Sequence, residues 1–166
     1  SSLTAGPNSP GSAASATPAL LPWSSPGNVL SSNNAHATVT LASETSDVLR
    51  LTNFGFSLPG GAGITGIEVT IERRMVTGMG GEITDAQVQL RKASGLVGVD
   101  YATGAAWPTG DGIATYGGAA DLWGTTWNAA EINASSFGVD LRAQETSGNR
   151  TDAQIDHVTI TIHYLS

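Results

Sequence analysis

The sequence has no cysteine and little positive charge. Without cysteine there is no disulfide framework, and no thiolate is available as a metal ligand or a nucleophile. Seven Lys and Arg residues stand against fourteen Asp and Glu, which gives a formal net charge of -7. A negative protein is repelled by phosphate backbones and by anionic lipid headgroups alike. We therefore expect no nucleic-acid partner and no membrane partner.

Long apolar runs are also absent. No segment approaches the roughly 18 to 20 consecutive apolar residues that a membrane-spanning helix needs. The start, Ser1 to Thr4, shows neither the basic nor the apolar region of a secretory signal, so we expect a protein that folds where it is made. The length of 166 residues, the 21 glycines and the charged fraction of 13% favour one domain built from short strands and turns.

Residues 1–27 have the composition of an extended arm. They hold five of the seven prolines and no charged side chain, a composition that predicts neither regular strand nor helix. A disordered tail is one interpretation. A cluster of apolar residues favours another, in which the arm orders against a neighbouring subunit through Leu20, Leu21, Pro22 and Trp23. The predicted division is an arm over 1–27 and a β-sandwich domain over 28–166.

From about residue 36 onward, apolar and polar residues alternate with a period of two. This alternation predicts half-buried strands at 37–41, 47–58, 67–75, 83–93, 97–101, 113–116, 137–143 and 158–164. A change of parity indicates a bulge or bend near Asn53. A glycine-rich turn after the third strand indicates a hairpin with the fourth, and Asn128 with Glu131 fits a helix capping box. The predicted fold class is all-β, an antiparallel two-sheet β-sandwich, jelly-roll-like, with an extended N-terminal arm.

Residues that could carry catalysis are few and scattered. The glycines at 61–66 match a dinucleotide fingerprint but lead into a strand instead of a helix, so they predict no nucleotide site. His157 and His163 share one strand face about 20 Å apart, too far for one metal ion, and His36 lies near the first strand. We predict no catalytic residue, no cofactor and no enzymatic activity. A calcium site among the loop aspartates stays open, with Asp100, Asp111 and Asp121 as its candidates.

Three tryptophans lie in the segment with the weakest periodicity: Trp107, Trp123 and Trp127. Flat exposed rings in loops could form a platform on which a sugar stacks. Alternatively, large aromatic side chains close the ends of a sandwich core. The apolar neighbours Ile132 and Phe137 favour the core interpretation for Trp127, and both interpretations stay open.

Three segments of the chain resemble a known structural module. They are LRLTNFGFSLPGGAGITGIEVTIERR at 49–74, YGGAADLWGTTWNAAEINASSFGVDLRA at 116–143 and IDHVTITIHYL at 155–165. Together they are similar to a β-sandwich module of tailed-bacteriophage structural proteins. A small copy with a proline-rich arm most resembles a capsid decoration (cement) protein. The matching residues belong to the scaffold, so the resemblance implies no catalytic residue.

The resemblance implies a virion component that is assembled in the host cytoplasm and sits on the outer capsid surface. It implies the major capsid protein as partner and a homotrimer as oligomer, with bridges between neighbouring capsid subunits that stabilise the head. The alternative is a carbohydrate- or receptor-binding module of a phage tail or cell-surface assembly. That alternative would use Trp107, Trp123 and Trp127 as its glycan-binding residues.

Overall fold

The computed structural model describes residues 1–16 and 20–166. Its ten strands are β1 (Ser2–Asn8), β2 (Ser12–Ala16), β3 (Ala37–Leu41), β4 (Val48–Thr52), β5 (Gly63–Thr77), β6 (Ile83–Lys92), β7 (Gly95–Leu96), β8 (Gly112–Gly118), β9 (Gly138–Glu145) and β10 (Thr151–Leu165). A 3-10 helix spans Pro26–Leu30, and α1 spans Ala129–Asn133. No helix in the described ranges is both long enough and apolar enough to cross a membrane.

The strands of the described residues form two antiparallel sheets, which confirms the predicted fold class. The first sheet has the order β1-β10-β5-β8, and β3 pairs with β10 beside this path. The second has the order β2-β4-β9-β6-β7. The long strand β10 pairs through its first residues with β3 and through its last residues with β1. It thereby holds the first sheet together along its whole length.

The core lies between the two sheets and consists of the inward halves of the alternating strands. Ile67, Val69 and Ile71 of β5 face inward while Glu68 and Thr70 stay partly exposed. The same alternation runs through β10 and through the second sheet, because residues of even spacing share one face of a strand. At one end Phe137 makes edge-to-face contacts, at centroid distances of 5.5 to 6.3 Å, with Trp127, Phe54 and Phe56.

The N-terminal segment forms regular strands, so that part of the arm prediction is wrong. β1 pairs with the end of β10, and β2 pairs with β4. Both are edge strands, and an edge tolerates proline because the missing N–H faces solvent. The register of β1 shifts between Ala5 and Asn8, where Pro7 lies. Residues 1–16 thus contribute one strand to each sheet of the sandwich. Positions 17–19 of the predicted arm lie outside the described residues.

Two predicted connections also differ from the structure. β5 lies in the first sheet and β6 in the second, so the glycine turn near 78–81 carries the chain between sheets and the predicted hairpin is wrong. β4 ends at Thr52, because Asn53 adopts a left-handed backbone with a φ of 60°. Phe54 and Phe56 are then buried from an irregular segment instead of a bent strand. Of the two weak central strands, β8 is confirmed, and 97–101 forms no strand.

The short helix begins as predicted. The side chain of Asn128 accepts a hydrogen bond from Glu131 N, and the Glu131 side chain accepts one from Asn128 N, which confirms the capping box. Lys92 at the end of β6 donates to Glu131 at 2.8 Å. That hydrogen bond lowers the pKa of Glu131. The helix is therefore fixed to the second sheet by its first turn.

Candidate functional site

The four predicted contact residues of the arm are divided between surface and core. Leu20 is 78% exposed and Pro22 is exposed, whereas Leu21 is half-buried. Trp23 is buried, and its indole N–H donates to Asp47 O at 2.9 Å. The tryptophan thus packs into the core of its own chain and is not available to a neighbouring subunit. Only Leu20 and Pro22 remain accessible for the predicted contact.

The three loop tryptophans are core residues. Trp107, Trp123 and Trp127 are 4%, 0% and 9% exposed. Their indole N–H groups donate to Asp85 Oδ1, Ile67 O and Leu122 O respectively. A stacking platform needs an accessible ring face, so these side chains do not form the expected one. Bulky rings close the sandwich where the strands end, which is the other interpretation of the sequence.

A buried charged network surrounds Asp85, and sequence inspection missed it. Asp85 Oδ1 accepts from Arg73 Nη1 at 2.8 Å and from Trp107 Nε1 at 2.9 Å, and Asp85 Oδ2 accepts from Tyr116 Oη at 2.5 Å. The Arg73 guanidinium lies 4.9 Å from the Trp107 ring centroid. Burial and the hydrogen bond to Asp85 raise the pKa of Tyr116. The network joins β5, β6 and β8 and is closed to solvent, so it serves the fold and not a substrate.

A register shift in β6 explains why Asp85 points inward. Pairing of β6 with β9 breaks between Asp85 and Gln87, and such a bulge moves one side chain to the other face of a strand. Ile83 and Asp85 therefore face the core together, and Val88 and Leu90 face it after the bulge. The sequence pattern predicts Ala86 inward, but that residue is only half-buried.

Glu145 at the end of β9 is held by hydrogen-bond donors from three segments. Its carboxylate accepts from Ser43 N, Glu82 N and Gly148 N at 2.8 to 3.0 Å, and from Ser147 Oγ. Burial raises the pKa of Glu145, but the hydrogen bonds outweigh burial and bring the pKa down to about 2. The carboxylate closes the end of the sandwich where four chain segments meet.

Each histidine has a polar neighbour. His36 Nε2 lies 2.9 Å from Asp111 Oδ1, and His163 Nε2 lies 2.5 Å from Glu68 Oε1. His157 and His163 lie on the outer face of β10, as predicted. His157 Nε2 is 2.8 Å from Ser9 Oγ. Among the described residues no acidic side chain contacts the other ring nitrogen of His157, so the pair lacks the third group that orients a catalytic base.

Two of the three aspartates considered for calcium hold loops instead. Asp100 accepts from Val88 N and Ala102 N. Asp121 accepts from Tyr101 Oη and Trp123 N. The structure does not bring these two carboxylates into a group with Asp111.

An unprotected strand edge lies at the side of the first sheet. β8 pairs with β5 on one side only, and no other described strand pairs with it. We call its free side, Gly112–Gly118, the β8 edge. It contains no charged residue and no proline, which are the features that normally keep another strand from adding to an edge. Ile113 is 67% exposed on it.

The outer face of the second sheet carries a polar cluster. Arg50 donates through Nε and Nη2 to both oxygens of Asp140 at 3.0 Å, and Arg91 Nη1 donates to Asp140 Oδ2 at 2.9 Å. The hydrogen bond to Asp140 raises the pKa of Arg50. We call this group, with the neighbouring Gln87 and Gln89, the arginine face. Its planar groups offer fixed donors and acceptors on a sheet surface.

Comparison with known proteins shows no family for this chain. No protein-family model and no curated protein matches the chain. Among solved structures, the chain is similar to the N-terminal cellulose-binding domain of Cellulomonas fimi β-1,4-glucanase C, with a TM-score of 0.46, 12% identity and coverage of 89% of this chain and 85% of that one. A carbohydrate-binding structure described as "CBM4 structure and function" gives a TM-score of 0.44 at 13% identity, covering 78% and 85%.

The CBM22-1 xylan-binding domain of Paenibacillus barcinonensis Xyn10C gives a TM-score of 0.43 at 12% identity, covering 96% of this chain and 92% of that one. These scores and identities are too low to support a functional conclusion. The class of the chain is therefore defined by its own strands and sheets. It is an antiparallel two-sheet β-sandwich module.

Proposed function

We propose that this chain is a non-enzymatic virion component, a decoration protein that binds the major capsid protein on the outer capsid surface. The observation that carries the proposal is the β8 edge, an uncharged and unpaired strand with an exposed Ile113. Such an edge is suited to another polypeptide and not to a small molecule. The resemblance of segments 49–74, 116–143 and 155–165 to a phage structural module supports the major capsid protein as that polypeptide.

The β8 edge binds by strand addition. An extended segment of the capsid protein pairs with the free N–H and C=O groups of β8, and the Ile113 side chain enters an apolar pocket on the partner. Main-chain pairing gives affinity, and the pocket gives specificity. Leu20 and Pro22, which are exposed, form a second contact with a neighbouring capsid subunit.

Charge and copy number both suit a shell component. The net charge of -7 keeps free copies apart before assembly. On a symmetric shell, three copies assemble as a homotrimer and bridge adjacent capsid subunits. Linked contacts raise the effective concentration of each binding event, so individually weak contacts add up to firm attachment.

Replacing Ile113 with Lys is expected to weaken capsid binding at least about tenfold, because an apolar contact of roughly 2 kcal/mol is lost and a charge blocks the edge. The measurement is co-sedimentation with capsids of the virus that encodes the chain. Met79→Lys is the matched control, since Met79 is 73% exposed at the turn between β5 and β6, beyond the β5 residues 67–73 that pair with β8. Equal binding by I113K and the unmodified chain would exclude the β8 edge as the docking surface.

A second candidate function is carbohydrate binding by the arginine face. The favouring observation is the rigid pair of arginines on Asp140, whose side chain is 1% exposed. Fixed planar groups of this kind can hydrogen-bond sugar hydroxyls or carboxylates. The three loop tryptophans are buried and contribute no stacking surface, and for that reason this function comes second.

Glycan-array binding distinguishes the two functions. If the arginine face is the site, Arg91→Ala is expected to reduce the array signal at least about tenfold. The reason is that one charge-assisted hydrogen bond to the glycan, worth about 1.5–3 kcal/mol, is lost. Arg150→Ala is the control, because Arg150 is exposed in the loop between β9 and β10. The decoration proposal expects no specific glycan signal from any of the three proteins.

A further inference from the structure

Three residues that are distant in sequence bring one histidine and two carboxylates together. His36 precedes β3, Asp111 immediately precedes β8, and Asp156 lies within β10. One donor atom from each lies within 4.8 Å of the other two. His36 Nε2 is 2.9 Å from Asp111 Oδ1. The cluster is separate from the arginine face, which lies on the second sheet.

Asp156 reaches this cluster because β10 is irregular there. The pairing of β10 with β5 shifts between Ile155 and His157, and Asp156 is the residue left out of the register. Its side chain is fully buried, with an exposure of 0%. Asn33 N and Asn34 N donate to its two oxygens at 3.1 Å. These bonds orient the carboxylate and leave further lone pairs on each oxygen for a ligand.

The charge of the cluster is not compensated by a basic side chain. Two carboxylates at this separation repel each other, and the Asp156 carboxylate is fully buried. Within residues 1–16 and 20–166, no Lys or Arg makes an ion pair with Asp111 or Asp156. A bound cation would hold these three donor groups together without such a basic partner.

We propose that His36 Nε2 and one oxygen each of Asp111 and Asp156 bind a divalent transition-metal cation of the zinc class. One imidazole nitrogen with two carboxylate oxygens is a donor set that such cations accept, whereas calcium and magnesium favour oxygen donors alone. With bonds of about 2.0–2.1 Å, tetrahedral donor atoms lie about 3.4 Å apart. To reach that value, the 2.9 Å spacing between His36 Nε2 and Asp111 Oδ1 must open by about 0.5 Å, and spacings of up to 4.8 Å must close through side-chain rotation. Water fills the remaining position.

The second layer of contacts supports the ligands. Asn28 Nδ2 donates to His36 O at 3.0 Å and fixes the backbone from which the imidazole projects. The two backbone amides on Asp156 orient its carboxylate, as hydrogen bonds to ligating carboxylates do in metal sites. The cation joins the start of β3, the start of β8 and the bulge of β10. It therefore fixes the loop from which the β8 edge begins, although the inference does not depend on the proposed function.

The test is isothermal titration of the EDTA-treated 166-residue chain with zinc chloride at neutral pH. We expect one Zn²⁺ per chain at micromolar protein concentration and a rise in Tm of several degrees. His36→Gln and Asp111→Asn are each expected to weaken zinc binding at least about tenfold, as loss of a single ligand should. His157→Gln and Glu82→Gln are the matched controls and should bind like the unmodified chain, because neither side chain belongs to the cluster.

A second measurement does not depend on the variants folding. Co²⁺ added to the unmodified chain should give visible absorption bands typical of a four-coordinate site, and zinc should abolish them. No zinc binding, unchanged zinc affinity in both H36Q and D111N, or tighter binding of Ca²⁺ than of Zn²⁺ would each overturn the proposal.

Discussion

Replacing Asp85 with Asn is expected to lower the free energy of unfolding by about 3–5 kcal/mol, because one partner of a buried ion pair is removed while Arg73 stays buried. Arg73 and Asp85 are 5% and 4% exposed. Asparagine keeps the shape of the side chain, but its amide N–H₂ group faces hydrogen-bond donors that contact a carboxylate oxygen in the unmodified protein. The guanidinium is also left with a buried Nε that already has no partner among the described atoms. Urea denaturation followed by tryptophan fluorescence measures the change.

Two comparisons isolate the effect of the buried charge. Asp152→Asn removes a carboxylate that is half-buried and bonded to Thr40 Oγ1 at 2.6 Å, and it should cost about 1 kcal/mol. Replacing Arg73 and Asp85 together with Met and Leu should recover only the part of the loss that comes from the isolated charge, since buried Trp107 and Tyr116 still lose their acceptor. A loss below about 1 kcal/mol in D85N would contradict the burial of this network.

Stability is expected to fall with acid in a window defined by Glu145. The folded pKa of about 2 lies below the ordinary value of 4.5. A carboxyl group with a lower pKa in the folded than in the unfolded state stabilises the fold while it is ionised. This stabilisation is complete at pH values above the pKa of the unfolded state, and it is lost as the pH falls towards the pKa of the folded state. The contribution of Glu145 should therefore be complete above about pH 5 and decline between about pH 4.5 and pH 2.

Glu145→Gln tests this assignment. At pH 7 it should lower the unfolding free energy by roughly 2 kcal/mol, because the neutral amide accepts the backbone hydrogen bonds less strongly. The difference between E145Q and the unmodified chain should shrink as the pH falls from about 4.5 towards about 2. Glu82→Gln is the control, since Glu82 is exposed and gives Glu145 only its backbone N–H. A difference that stays constant across this range would exclude Glu145 as the group responsible.

The sandwich could be predicted from sequence wherever a strand has one buried and one wet face. β5 and β10 show this most clearly, because buried residues alternate with partly exposed ones without a break over 67–74 of β5 and over 156–163 of β10. Val69 of β5 and Ile160 of β10, for example, are both fully buried and lie opposite each other in the register. The capping box could be predicted for a similar reason, since both of its partners lie within four residues. Local periodicity and local hydrogen bonding leave a signal in the sequence itself.

Edge strands and sheet membership left no such signal. β1 and β2 consist largely of small or polar residues, and their contribution to the core is limited to partly buried positions such as Ala5 and Ala13. Alternation also says nothing about which sheet a strand joins, so it does not separate a β5–β6 hairpin from a crossing between sheets. The glycines between the two strands permit either connection equally.

The buried polar residues could not be predicted, because their partners are remote in sequence. Asp85 is 12 positions from Arg73 and 31 from Tyr116. Asp and Glu are almost always exposed unless paired, so a carboxylate in a strand with polar neighbours is expected at the surface. In the cluster of one histidine and two carboxylates, His36 and Asp111 are 75 positions apart, and Asp156 lies in β10. Only the fold brings these groups together.

Cryo-electron microscopy of the native assembly that copurifies with this chain tests the central claim most directly. The decoration proposal predicts density for the sandwich on the outer capsid surface, three copies together at junctions between capsid subunits, with the β8 edge against the major capsid protein. Density on a tail fibre, or a β8 edge that faces solvent while the arginine face contacts a ligand, would contradict the proposal and favour the carbohydrate-binding function.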